Sequence, residues 1–244
     1  MSFFAVFASL LLLSLIFGGL YISRIAAKRE EAERQVKTRI RQHKSRQAEL
    51  EELFTTLCAY DRNPDLLLTI QKLMLKEAEL IGRLAPNSAD GLDNLDYYKG
   101  LSEAIESLGD NANRPDIPGS DRQINIMKRH FARTIKVLRS LADHGDLPEL
   151  SAHEHIKRLR HNSLILEVDA YKDQGIKAHD NGDLTTAGAY LKHAKDLLLQ
   201  SDSHFEDKTR HIKEISRMIA GLYSSEFHQQ TPSDKANPSS TDKG

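Results

Sequence analysis

The sequence predicts an all-α protein: an N-terminal transmembrane helix and helical stalk, then an irregular helical bundle containing a repeat-like helical hairpin. Three observations carry this. Residues 23–60 contain neither Gly nor Pro and are mostly good helix formers. Later segments repeat apolar residues every three, four or seven positions, the period of one helix face. Outside the first apolar run, no segment alternates apolar and polar residues as a half-buried strand does.

The first element is FFAVFASLLLLSLIFGGLYI, Phe3–Ile22, which carries no charge. At about 1.5 Å per residue it measures roughly 30 Å as a helix, the thickness of a bilayer core. No Lys or Arg precedes it, and Ile25-Ala26-Ala27 follows the charged Arg24, so an uncleaved anchor over residues 1–23 fits better than a signal peptide. Arg24, Lys28, Arg29, Arg34, Lys37, Arg39 and Arg41 follow closely. Positive residues stay on the cytoplasmic side, which predicts a single-pass protein of the inner or plasma membrane with its large C-terminal domain in the cytoplasm. A lone Cys58 cannot close an internal disulfide, in keeping with a reducing compartment.

Residues 24–49 read as a charged helical stalk. Ile25, Ala32, Val36 and Ile40 form only a thin apolar stripe, a faint coiled-coil signal that leaves weak self-association open. The basic cluster also attracts anionic headgroups, by about 1 kcal/mol per nearby charge. From Leu50 the apolar density rises, and residues 50–108 read as a helical subdomain. In DRNP, Asn63 is placed to cap and Pro64 to open the second helix, which ends before Pro86. A third helix carries Leu95, Tyr98, Leu101, Ile105 and Leu108 on one face.

Residues 109–120, GDNANRPDIPGS, read as a loop or hinge. A second helical subdomain follows over residues 121–226. Its first helix, about Asp121–Ala142, puts Ile124, Met127, Phe131, Ile135 and Leu138 on one face. Arg122, Arg129, Arg133 and Lys136 recur on the opposite side, and Arg158, Arg160 and His161 add charge on the next helix. HGDLPEL breaks the chain, and Ser151 with Glu154 has the spacing of a capping box. Helices over about 184–199 and 205–223 complete the array. Residues 227–244 are polar and rich in Ser and Pro, the composition of a disordered tail.

The hairpin AYKDQGIKAHDNGDLTTAGAYLKHAKDLLLQ, residues 170–200, has an order of its own. Tyr171 can fill space between two helices, and Gly175 lets them approach. Gly182 and Asp183 suit a turn and a cap, and Ala187, Leu191 and Ala194 share one face of the second helix. Over residues 171–199 this order resembles a single, degenerate tetratricopeptide repeat, a helical pair of about 34 residues. Gln174 stands where the pattern often has a large apolar residue, no Pro closes the second helix, and no second clear copy occurs. The resemblance implies a scaffold for protein contacts rather than a catalyst. Because members commonly present the first helix of each pair, it points to Lys172 and Lys177.

Signals for chemistry are sparse. His153 and His155 lie two apart, about 200° around a helix, and cannot share one ion. His204 and His211, seven apart, could share a face but read as solvated histidines, and His179-Asp180 runs into the Asn181-Gly182 turn. There is no phosphate loop or dinucleotide fingerprint. Cys58 beside Leu57 and Tyr60 reads as packing. The sequence therefore predicts no catalytic residue, no metal and no cofactor.

Lys plus Arg number 34 and Asp plus Glu 35, which leaves no basic excess for nucleic acid. The expected function is a membrane-anchored, non-catalytic adaptor or scaffold that binds a protein partner, with Arg129, Arg133, Lys136, Lys172 and Lys177 as candidate partner-binding residues. The alternatives are a lipid-facing structural protein using the basic stalk and fourth helix, and a helical hydrolase with dispersed His and Asp residues.

Overall fold

A computed structural model describes residues 2–86, 89–110, 116–202, 205 and 207–229. At 2–6, 8–22, 89–93, 107–110 and 223–229 the description extends to the backbone only. The described chain is all-α: seven helices and no strand. They are α1 (Ser2–Tyr60), α2 (Pro64–Leu84), α3 (Ala89–Asp110), α4 (Asp121–Asp143), α5 (Glu149–Asp180), α6 (Leu184–Gln200) and α7 (Lys208–Gln229).

Among the fully described residues no helix is long and apolar enough to cross a membrane. The run Phe3–Ile22 falls on residues whose side chains lie outside that description, as do Leu108, His204 and the residues beyond Gln229.

The chain divides into two compact units. One comprises Met1–Phe54 with Pro64–Asp110, the other Thr55–Asn63 with Asn111–Gly244. In the first, side chains 23–39 of α1 are exposed, and Gln47 and Leu50 are its first fully buried positions. Pro64 opens α2 because the first helical N–H has no intrahelical partner to lose. The α2 face Leu66, Leu67, Ile70, Leu73, Met74, Ala78 and Ile81 is buried, and α2 packs on α3.

Polar links join these helices. The Glu77 carboxylate meets His43 Nδ1 at 2.6 Å and Arg46 Nε at 3.2 Å. The buried Tyr98 hydroxyl donates to Glu51 and accepts from Gln47 Nε2, while Gln71 Nε2 donates to the Tyr98 carbonyl at 2.6 Å. Burial first, then the Glu51 hydrogen bond, pushes the Tyr98 hydroxyl up to about 12.

In the second unit the helices pack in chain order, α4 on α5, α5 on α6 and α6 on α7. Asp61, just past α1, has a fully buried side chain. It accepts from Arg158 Nε and Nη2 at 3.3 and 3.0 Å, and from Asn162 Nδ2 at 2.7 Å. Arg62 takes a left-handed φ of 54° and donates through Nε to the Cys58 carbonyl at 3.2 Å. Thr56 Oγ1 meets His130 Nδ1 at 2.6 Å, and the Asp116 N–H donates to the Ala59 carbonyl at 3.0 Å.

The ends of α4 follow from local chemistry. Ser120 accepts from the Gln123 N–H at 3.4 Å, and Gln123 Oε1 accepts in return from Gly119 N–H at 2.7 Å. At the far end Gly145, φ 75°, allows a Schellman turn in which the Gly145 and Asp146 N–H groups reach the Ala142 and Leu141 carbonyls.

The expected capping box at Ser151 and Glu154 does not form. α5 begins earlier, at Glu149, with Pro148 in the cap position and no side-chain cap. The Pro148 carbonyl already accepts from the Ala152 N–H at 3.0 Å, so Ser151 lies inside the first turn.

Candidate functional site

The most informative local geometry is the α5–α6 hairpin with α7 packed on it. Gly182, φ 80°, ends α5: its N–H donates to the His179 carbonyl at 2.8 Å, and the Asp183 N–H reaches the Ala178 carbonyl at 2.9 Å. That pair is the Schellman pattern, which needs a residue free to adopt a positive φ. Asp183 then caps α6 by accepting from the Thr186 N–H at 3.0 Å. Hydrogen bonding from the Thr186 side chain first, and then from its backbone N–H, holds the Asp183 carboxyl below the usual carboxylate range.

The two helices meet at a glycine. A Cβ on Gly175 would lie 2.9 Å from Leu191 Cγ, 3.1 Å from Cδ2 and 3.4 Å from the Ala187 carbonyl oxygen. Ala187 and Ala194, seven residues apart on one face of α6, are wholly buried, with Leu191 between them. Val168, Leu198, Ile215 and Leu222 complete this core. Tyr171 stands against the same cluster, stacked with Tyr190 at 6.1 Å and edge-on to His193 at 4.5 Å. Burial raises its hydroxyl above the ordinary tyrosine value.

Beside this contact lies a cavity of about 330 Å³ lined by Gly175, Ile176 and His179 of α5, Leu191 of α6, and Met218, Gly221 and Leu222 of α7. The lining is mostly apolar, with the imidazole of His179 at its polar edge. Ile176 is 39% exposed, and a Cβ on Gly221 would meet nothing within 4 Å, so the cavity opens to solvent. Lys172 reaches from α5 to Glu214 of α7 at 3.1 Å and helps fix the spacing of the two walls.

A second, polar cavity of about 650 Å³ is lined by residues that include Arg122, Gln174, Lys177, Asn181, Asp183 and Tyr190. It lies where α4 and α6 begin and α5 ends.

The residues singled out from the sequence divide by environment. Lys172 is largely covered and pairs with both Asp169 and Glu214, so it works as an inter-helix link. Lys177 is exposed, pairs with Asp173 at 2.6 Å and lines the polar cavity. Arg129 and Lys136 are exposed on α4, with Arg133 half-buried beside them. The apolar cavity thus receives none of the five. Its lining on α7, Met218, Gly221 and Leu222, carried no signal in the sequence beyond helical period.

Outside the cavity, the histidines and the cysteine differ in environment. His155 is buried with Nδ1 3.2 Å from Arg158 Nη1, whereas His153 is exposed. His161 packs edge-on to Phe205 at 4.8 Å; burial first, and then nearby His211, lowers its pKa. Burial pushes the Cys58 thiol up to about 11, against a smaller opposing pull from Arg62. Among the described residues no three His, Cys, Asp or Glu side chains gather as a metal site.

Comparison of the chain with protein-family models, with curated proteins and with solved structures returned no match.

Proposed function

We propose that this chain is a membrane-anchored, non-catalytic adaptor, held by Phe3–Ile22 with its helical units on the cytoplasmic side, and that it receives an apolar side chain of a partner protein in the α5–α6–α7 cavity. The observation that carries this is the cavity itself: about 330 Å³, open to solvent and mostly apolar, with an exposed Ile176 at its mouth. Apolar concavities with one polar edge are where binding sites concentrate. Anchoring confines the protein to a surface and raises its effective concentration for a partner there. The charge-free run and the seven cations between Arg24 and Arg41 support the anchor and its orientation.

Site-specific photo-crosslinking of the full chain in its membrane tests the proposal. A photoreactive residue at Ile176 is compared with one at Leu150, which is exposed on the same helix but does not line the cavity. The expected result is one defined protein adduct from position 176, absent from position 150 and lost with Met218→Glu. The same adducts from both positions, only lipid adducts, or no adduct would overturn the reading.

A further inference from the structure

We propose that the outer face of α4 is a second docking surface, and that its occupant is an acidic α-helical segment of a partner protein. This goes beyond the apolar cavity and does not depend on it.

Between Arg122 and Arg139, α4 carries six cations, Arg122, Lys128, Arg129, Arg133, Lys136 and Arg139, and no acidic residue. Lys128 is committed to Glu167 at 2.8 Å. Arg122, Arg129, Lys136 and Arg139 are exposed and make no ion pair among the described residues. The opposite face, Ile124, Met127, Phe131, Thr134, Leu138 and Leu141, is buried, so packing fixes which way the charges point. Since the whole chain has a net charge of −1, the excess is a property of this face.

Spacing identifies the occupant. Arg122, Arg129 and Lys136 are seven residues apart, about 10.5 Å along the helix and only about 20° apart around it per step. Asn125 and Ala132 between them are small and exposed, which lets a second backbone approach to roughly 8–10 Å. A partner helix with carboxylates every seven residues keeps that register over the full stripe. An extended segment does not: about three residues cover 10.5 Å, and every third side chain falls on the opposite side of a strand.

The ends of the stripe argue against a continuous polyanion. Exposed Asp116 and Asp121 lie at one end, and Asp143, Asp146 and Glu149 at the other. A nucleic-acid duplex or lipid surface extending past the stripe of about 26 Å meets those carboxylates, whereas a helix of matching length does not.

Binding of a fluorescent Ala/Gln helix to the full chain in neutral detergent tests this. One peptide carries Glu at seven-residue spacing, and a second has the same composition with Glu spread over different faces. The in-register peptide should bind about tenfold tighter, as expected for two to three exposed ion pairs worth roughly two- to fivefold each. Arg129→Glu/Lys136→Glu should abolish the difference, and the α7 control Lys213→Glu/Arg217→Glu should leave it intact. Should the reversal fail to fold by circular dichroism, Arg129→Gln/Lys136→Gln carries the same comparison. Equal affinity for the two peptides, or binding of neither, overturns the proposal. So does tighter binding to duplex DNA or phosphatidylserine vesicles that the α4 substitution removes.

Discussion

Gly175→Ala sets two opposing effects against each other, and the geometry decides between them. Replacing Gly by Ala inside a helix ordinarily stabilises by about 0.5–1 kcal/mol, because Gly loses more backbone freedom on folding. At Gly175 the added methyl would sit 2.9 Å from Leu191 Cγ and 3.1 Å from Cδ2, where carbon pairs settle at about 3.5–4.0 Å. Leu191 has little room to give. It is 2% exposed and lies between the fully buried Ala187 and Ala194, and Cγ moves only with the root of the side chain. Overpacking of this kind costs about 1–3 kcal/mol.

The net expectation for Gly175→Ala is a loss of about 0.5–2 kcal/mol. Urea unfolding of the full chain in detergent, followed by far-ultraviolet circular dichroism, measures it. Gly82→Ala is the control, since its Cβ meets nothing within 4 Å and should show the ordinary gain. Leu191→Ala alone costs about 2–5 kcal/mol, yet on that background Gly175→Ala should become favourable. A Gly175→Ala protein stabilised as much as Gly82→Ala would refute the close-contact argument.

Two further outcomes follow from buried polar groups. Asp61→Ala should destabilise by about 2–4 kcal/mol in the same assay: it strands Arg158 and Asn162, although Arg158 stays 29% exposed and recovers some hydration. A loss under about 0.5 kcal/mol would mean that the cluster does not hold the end of α1. Burial first, and then His211, lower His161 below 6.5, so it holds a proton less well in the folded state than in the unfolded chain. Above pH 6.5 both states are neutral; as pH falls below it, the unfolded chain takes up the proton more readily, so stability is lost. His161→Asn should flatten the stability profile as pH falls through 6.5, and an unchanged slope would reject that account.

The parts legible in the sequence are those specified within a few turns of chain. The hairpin is the best case. The positive φ of Gly182, the Asp183 cap and the Gly175–Leu191 approach all arise from residues within about two turns of the break or from one helix pair. Ser120 and Gln123 had the same kind of local signature and went unread, while Ser151 and Glu154 had it and do not cap. The difference is that the helix has already begun at Glu149, with the Pro148 carbonyl accepting its first hydrogen bond, so Ser151 is not at a helix end. Clusters built across the chain were invisible. Arg158 and Asn162 meet Asp61 across 97 and 101 residues, and no period or motif links those positions. The cavity was hidden for the same reason: helical period says which face of α7 is apolar, but not that Met218 and Leu222 stand opposite Ile176.

Charge placement ties these points to function. With 34 cations against 35 acids, pairing could in principle have been nearly complete. Where cations link helices it largely is: Arg46 meets Glu77 in one unit, and Arg158, Lys128 and Lys172 meet Asp61, Glu167 and Glu214 in the other. These acidic partners, apart from Glu214, are mostly buried, and a buried carboxylate left unpaired would be costly. Folding therefore accounts for where those cations sit. It does not account for Arg129 and Lys136, whose exposed charges touch no acid among the described residues and whose like charge lies four and three residues from Arg133, which slightly opposes the helix. A feature that packing does not require and that keeps a helical register is what the proposed acidic helix would read. An acidic helix that pairs with those charges would turn the cost into a gain in binding.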